Sequence, residues 1–158
     1  MPQMEQTSLM KMEQERFLQE LSAVNARTAR FGLTLSPQAM EEIRLSRVNA
    51  LSDHGRVELG PSAVSLIVEG FCDSPFLLQD EYEATLMELV DAFYYFKNAC
   101  ADMLTDDELI EAMRERYDAY DGSVEAVTGT TLEALCRARR LGETFEDGFA
   151  EEEEDDDE

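Results

Sequence analysis

The chain has 158 residues, of which 44% are apolar, and its 36 acidic against 13 basic residues give a formal net charge of −23. A negative field of this size repels nucleic-acid phosphates and anionic lipid, so we expect no direct binding to nucleic acid or to a membrane surface. No apolar run reaches the ~20 residues that a transmembrane helix needs, and the first residues lack a signal-peptide pattern. Three cysteines without a C-x-x-C pair indicate free thiols, two of them buried, in a cytoplasmic protein.

The charge is distributed unevenly along the chain. Residues 1–60 are nearly neutral, residues 61–142 carry 17 acidic and 6 basic residues, and residues 143–158 carry 11 acidic residues and no basic one. Closely spaced carboxylates repel one another, which predicts a disordered acidic tail over residues 143–158. We expect residues 1–142 to form a single all-α domain whose first eight or so residues are frayed.

Apolar spacing predicts three helices in the first half of the chain. The first is expected over residues 5–31, and the second opens at Ser36-Pro37, with serine as N-cap and proline at the first helical position, and ends near Ser52. A third is expected over residues 61–71, after an extended connection. The inward residues of the first two helices are predicted to be Met10, Phe17, Leu21, Val24, Thr28 and Phe31, and Met40, Ile43, Val48 and Leu51.

A long stretch near residues 80–104 contains neither proline nor glycine and predicts the central helix of a compact bundle of about six helices. The sequence pattern leaves open whether this helix begins at Pro75 or at Glu81. Its apolar residues recur at steps of four and three, which is typical of a buried helix face. They are Tyr82, Leu86, Leu89, Phe93, Phe96, Cys100 and Met103.

Two S/T-x-x-E patterns predict the helices that follow. Thr105 to Glu108 forms a capping box that opens a helix ending near Tyr120, and residues 123–128 form one or two helical turns. Thr130 to Glu133 is predicted to be a second capping box, opening a last helix that ends at Leu141.

The stretch from Gly32 to about Arg140 resembles a family of small uncharacterised bacterial proteins, typical of clostridia-like Gram-positive bacteria. The resemblance rests on residues 66–75 (LIVEGFCDSP), 93–98 (FYYFKN) and 106–110 (DDELI). It implies no activity, substrate or cofactor.

Sequence motifs for catalysis are sparse. The one histidine, His54, stands beside a glycine without a nucleophile motif, so we interpret it as a surface turn residue. Glu88 and Asp91 form an E-x-x-D pattern similar to the helix of all-α nucleotide pyrophosphohydrolases, in which carboxylates of neighbouring helices hold Mg²⁺. That resemblance implies Glu88 and Asp91 as metal ligands of an alternative, enzymatic function. The upstream partner pattern is missing, because Glu41-Glu42 has no glutamate at position 45.

The principal prediction is therefore a non-enzymatic, acidic interaction or accessory protein without a cofactor, which binds a basic surface of another protein. A mimic of nucleic-acid charge is a specific alternative, and a homo-oligomer is left open because the apolar seam can also pack across a two-fold axis. The tail is expected to act mainly as a solubilising segment. Its candidate partner-binding residues are Phe145, Phe149, Glu151, Glu152, Glu153 and Glu154.

Overall fold

A computed structural model describes residues 2–58 and 62–143. The predicted all-α class is confirmed, because these residues form six helices of nine or more residues, one single-turn helix and no strand. The helices are α1 (Pro2–Thr28, followed by a 3-10 turn, Ala29–Phe31), α2 (Pro37–Asp53), α3 (Ala63–Phe71), α4 (Gln79–Ala99), α5 (Asp106–Ala119), the single turn α6 (Val124–Val127) and α7 (Thr130–Arg140).

Backbone contacts divide the chain into two compact units, residues 1–91 (unit 1) and residues 92–158 (unit 2), and the boundary falls within α4. The predicted apolar face of α4 is buried along most of its length. Tyr82, Leu86 and Leu89 belong to the core of unit 1, and Phe93 and Phe96 to the core of unit 2. The expectation of a single domain over residues 1–142 stays a prediction.

In unit 1, α1 packs against α2 and α3. The predicted α1 positions Phe17, Leu21, Val24 and Thr28 are buried. The prediction for Phe31 was wrong, because this side chain is 44% exposed. The backbone tightens into a 3-10 turn after Thr28, and three residues per turn no longer carry the apolar stripe of an α-helix onto the same side.

A carboxylate of α1 holds the start of α3. The Glu20 side chain accepts hydrogen bonds from the Ser62 N–H (2.9 Å), the Ser62 hydroxyl (3.1 Å) and the Ser65 hydroxyl (2.6 Å). Ser62 is the N-cap of α3, so the helix begins two residues later than predicted. Glu20 therefore supplies the acceptor for polar groups at the buried start of α3, although it lies 42 positions before Ser62 in the sequence.

In α2, Ser36 caps the helix as predicted, since its hydroxyl accepts a hydrogen bond from the Ala39 N–H at 3.1 Å. The inward face differs from the prediction, because Val48 is 40% exposed and Arg44 is buried. The Arg44 guanidinium bonds both carboxylate oxygens of Glu41, which lets its hydrocarbon stem cover apolar surface.

In unit 2, α5 packs against α6. The first predicted capping box is confirmed, since the Glu108 N–H donates to the Thr105 hydroxyl (3.1 Å) and the Thr105 N–H donates to the Glu108 carboxylate (2.9 Å). The second was wrong, because the N-cap of α7 is Gly129 and no side chain caps it. The Thr131 hydroxyl instead accepts a hydrogen bond from the fully buried Arg116 at 3.0 Å.

The predicted central helix ends at Ala99, five residues earlier than predicted. The N–H groups of Ala101 and Asp102 return to the carbonyls of Asn98 (3.1 Å) and Lys97 (3.2 Å), the hydrogen bonds of a Schellman motif. Ala101 and Asp102 have φ of 51° and 63°, so the chain leaves the helix through two left-handed residues. The core position predicted for Met103 was therefore wrong, and its side chain is 57% exposed.

Candidate interaction surface

Four exposed carboxylates line one side of α4 within unit 1. They belong to Asp80, Glu81, Glu88 and Asp91, which we call the α4 acidic face. At 3.6 residues per turn these positions fall within a sector of about 100° and extend about 16 Å along the helix. The face combines the two residues singled out from the sequence, Glu88 and Asp91, with two others about two to three turns upstream.

Helical periodicity explains why the acids share a face. Tyr82, Leu86, Leu89 and Val90 are buried on the opposite side of the same turns, which leaves the acidic positions to solvent. Carboxylates in the first turn of a helix also interact favourably with the positive end of its dipole, as Asp80 and Glu81 do here. The carboxylates of the first turn are therefore favourable for the helix even without a lysine or arginine beside them.

The negative charge of this face is not offset locally. No lysine or arginine occurs between Arg56 and Lys97 in the sequence. Within the described part of the chain, none of the four carboxylates takes part in an ion pair. Cations of unit 1 are held elsewhere, Arg27 by Glu69 and Arg47 by Glu58, the latter at 2.8 Å.

The Asp91 carboxyl also has a shifted pKa. Partial burial raises the pKa of its carboxyl above the ordinary value, because desolvation disfavours the charged form. A cation brought alongside Asp91 by a partner would stabilise the carboxylate and oppose this rise.

Glu88 and Asp91 lie one helical turn apart, as the alternative metal site requires, but both are exposed. Among the residues whose side chains the structure describes, no three or more histidine, cysteine, aspartate or glutamate side chains converge as a metal-binding group. A Mg²⁺ site of the hydrolase type uses three or four convergent carboxylates. The structure therefore brings Glu88 and Asp91 together without giving them a third ligand in that part of the chain.

A second acidic stripe, which the sequence analysis did not single out, lies in unit 2 on α5. Its exposed members are Asp107, Glu108, Glu111 and Glu115, which like those of α4 fall within a sector of about 100° around the helix. The pKa of Glu108 is lowered mainly by hydrogen bonds from Thr105, with smaller contributions from nearby cations.

Cations are more closely associated with α5 than with the α4 acidic face. Lys97 pairs with Asp106 at 2.7 Å, and Arg114 pairs with Asp118 at 2.6 Å. These pairs offset part of the charge of α5, so the α4 acidic face is the stronger candidate for contact with a basic partner.

The remaining residues considered from the sequence are placed as follows. His54 is the exposed C-cap residue of α2, in agreement with its interpretation as a turn residue. Of the adjacent tyrosines in α4, Tyr94 is buried and Tyr95 is 55% exposed. The tail candidates lie outside the described residues; they are Phe145, Phe149, Glu151, Glu152, Glu153 and Glu154.

Comparison with known proteins gives one match. A family model described as "Family of unknown function (DUF6323)" matches residues 20–145, which include the α4 acidic face and helices α2 to α7. No curated protein and no solved structure matches the chain. None of the helices in the described ranges is both long and apolar enough to cross a membrane.

Proposed function

The chain belongs to this family of unknown function, and we propose that it is a non-enzymatic accessory protein of the cytoplasm that binds a basic surface on another protein. The observation that carries the proposal is the α4 acidic face, whose four exposed carboxylates have no ion-pair partner among the described residues. Opposite charges on two protein surfaces steer encounter and fix orientation, and they suppress binding to acidic partners.

An exposed apolar side chain stands two residues before Asp80, the first member of the α4 acidic face. Leu78 immediately precedes α4 and is 61% exposed. Protein interfaces combine an apolar centre with a charged rim, so Leu78 would supply apolar contact beside the carboxylates of the α4 acidic face. Charge then governs the association rate and its salt dependence, while apolar contact slows dissociation.

Charge density favours a basic protein surface in general over close mimicry of nucleic acid. Duplex DNA carries one negative charge per ~1.7 Å, or roughly ten over the length of the α4 acidic face, against four carboxylates here. A partner that normally binds DNA remains one outcome of the test below, because duplex DNA would then compete for the same basic surface.

The test is affinity capture on the full-length protein from a lysate of a clostridia-like Gram-positive bacterium, the source that the sequence resemblance suggests. The variant removes three charges from the α4 acidic face. The matched control removes three exposed carboxylate charges elsewhere in unit 1. The variant is Glu81→Gln, Glu88→Gln and Asp91→Asn, and the control is Glu15→Gln, Glu42→Gln and Asp53→Asn.

We expect a basic protein to be captured by the wild type and the control, to be lost from the α4 variant, and to be released by moderate salt. Equal retention by both variants, or no specific capture by the wild type, would contradict the proposal. A chain ending at residue 143 separates the tail from the folded part: loss of the partner from this form alone would assign binding to the tail, with its candidates Phe145, Phe149 and Glu151 to Glu154. Release by added duplex DNA would identify the partner as a DNA-binding protein.

A further inference from the structure

The end of α7 carries an exposed basic face in unit 2. It consists of Arg137, Arg140 and Leu141, which we call the α7 basic face; both arginines are exposed, and Leu141 is 58% exposed. At 3.6 residues per turn the three positions fall within a sector of about 100°. The buried residues on the opposite side of the helix are Leu132, Leu135 and Cys136. The α7 basic face is therefore the solvent side of an amphipathic helix.

Neither arginine of this face has an acidic partner in the described part of the chain. No ion pair there includes Arg137 or Arg140. Glu133 stands one turn before Arg137, a spacing that allows an ion pair, but the two side chains are not paired. Lys97 and Arg114 of the same unit, by contrast, pair with carboxylates at 2.7 and 2.6 Å. Two exposed cations are thus left beside an exposed apolar side chain.

The chain turns back on α7 directly after this face. Gly142 has φ of 72°, and its N–H donates to the Arg139 carbonyl at 3.1 Å. The Glu143 N–H donates to the Ala138 carbonyl at 2.9 Å, which completes a Schellman motif. Because this motif reverses the chain, Glu143 lies beside the last turn of α7 and not beyond its end. The residues after Glu143 therefore start alongside the turn that carries the α7 basic face.

The sequence that follows contains the charge and the apolar groups that would complement this face. Ten of the fifteen residues in 144–158 are acidic and none is basic. The first six, TFEDGF, place Glu146 and Asp147 between Phe145 and Phe149. Three to four residues of extended chain span about 10–14 Å, and the α7 basic face extends only about 6 Å along the helix. Glu146 and Asp147 can therefore reach both arginines.

We propose that residues 144–149 fold back onto the α7 basic face of the same chain. Glu146 and Asp147 pair with the two arginines, and the phenylalanines of the segment cover Leu141. The short connection gives the segment an effective concentration in the millimolar range, which a second copy at micromolar concentration does not match. The net charge of −23 also opposes the approach of a second copy. The acidic tail expected from the sequence then begins at residue 150, and its eight consecutive acidic residues project from a fixed point on unit 2.

Limited trypsin digestion of the full-length protein tests the contact, because the bond after Arg140 lies in the covered region. The variant Glu146→Gln, Asp147→Asn removes the two proposed partners. The control Glu152→Gln, Asp155→Asn removes the same charge farther along the tail. An exposed ion pair changes an equilibrium by a factor of roughly two to five. Loss of two pairs should therefore speed cleavage after Arg140 by about fourfold or more, and the control should be cleaved at the wild-type rate.

Two conditions make the digestion specific. Cleavage after the exposed Arg16 of α1, in unit 1, normalises each sample for trypsin activity. In about 1 M salt the wild type and the Glu146→Gln, Asp147→Asn variant should be cleaved at the same rate, because exposed ion pairs are screened.

Nuclear magnetic resonance relaxation measures the contact without a protease. In the wild type at low salt, the Phe149 amide should have an order parameter above ~0.6, the upper limit for flexible backbone. In Arg137→Gln, Arg140→Gln it should fall below that value. The control Lys11→Gln, Arg16→Gln removes two exposed cations of unit 1 and should leave the Phe149 amide unchanged.

Three results would overturn the proposal. The first is a wild-type Phe149 amide as mobile at low salt as the amide of Glu158, and this spectrum decides the matter even if a variant fails to fold. The second is an unchanged rate of cleavage after Arg140 in Glu146→Gln, Asp147→Asn. The third is protection that increases with protein concentration, which would place the segment of a second copy on the α7 basic face.

Discussion

Ala101 occupies a backbone position that favours glycine, and replacing it should stabilise the protein. Its φ is 51°, and it stands in the helix-terminating position that glycines fill after α1, α2 and α7, where Gly32, Gly55 and Gly142 have φ of 79°, 61° and 72°. A left-handed conformation costs a residue with a Cβ about 1–2 kcal/mol. Glycine loses ~0.4–1 kcal/mol more than alanine in chain entropy on folding.

The difference predicts that Ala101→Gly raises the free energy of unfolding by about 1 kcal/mol. For a chain of this size that corresponds to an increase in Tm of ~2–4 °C. The Ala101 side chain is exposed, so no packing is lost and the backbone effect is measured alone. Urea unfolding followed by circular dichroism gives the change, provided that the denaturant slope stays constant.

Two control variants bracket the measurement. Gly142→Ala places a Cβ in the same backbone conformation within unit 2, with no atom within 4 Å of it, and should lower the free energy of unfolding by about 1 kcal/mol. Ala119→Gly, at the exposed last residue of α5, should lower it by up to ~1 kcal/mol because that residue is helical. If Ala101→Gly destabilised the protein as Ala119→Gly does, the left-handed turn after α4 would be refuted.

Further predictions concern single groups. Tyr82→Phe should leave the free energy of unfolding unchanged or higher, because the buried Tyr82 hydroxyl has no hydrogen-bond partner in the described part of the chain; a loss of ~1 kcal/mol in urea unfolding would indicate one. Thr105→Ala should cost about 1 kcal/mol by the same measurement, through loss of the α5 cap, and a change within error would argue against the cap. The folded-state pKa of Glu108 is lowered, so its contribution is present above the unfolded pKa and is lost as pH falls through the folded one. Glu108→Gln should therefore destabilise the protein at neutral pH, with a difference from wild type that disappears in acid; a difference constant with pH would contradict this.

Part of the candidate surface was predictable from the sequence. Glu88 and Asp91 lie one turn apart in any helix that contains both of them. The sequence also shows that residues 57–96 include no lysine or arginine. Asp80 and Glu81 fit the same helical spacing, but they could be assigned to this face only once the first residue of α4 was known. Whether the four carboxylates face solvent or another helix depends on packing, which periodicity alone does not report.

Local patterns sufficed for the helices and for the capping of α2 and α5, because a cap bonds backbone groups only a few residues away. They also placed Phe17, Leu21, Leu86 and Leu89 in the core, because a buried stripe repeats with the helix period.

Tertiary structure decided where α4 ends and that Arg116 is buried. Each of these depends on atoms that are distant in sequence or on a backbone turn without its usual glycine. The Arg116 side chain is fully buried with a partner from another helix, since the Thr131 hydroxyl of α7 accepts its hydrogen bond. Contacts between separate helices are made by the folded chain, and a one-dimensional pattern contains no distances between them.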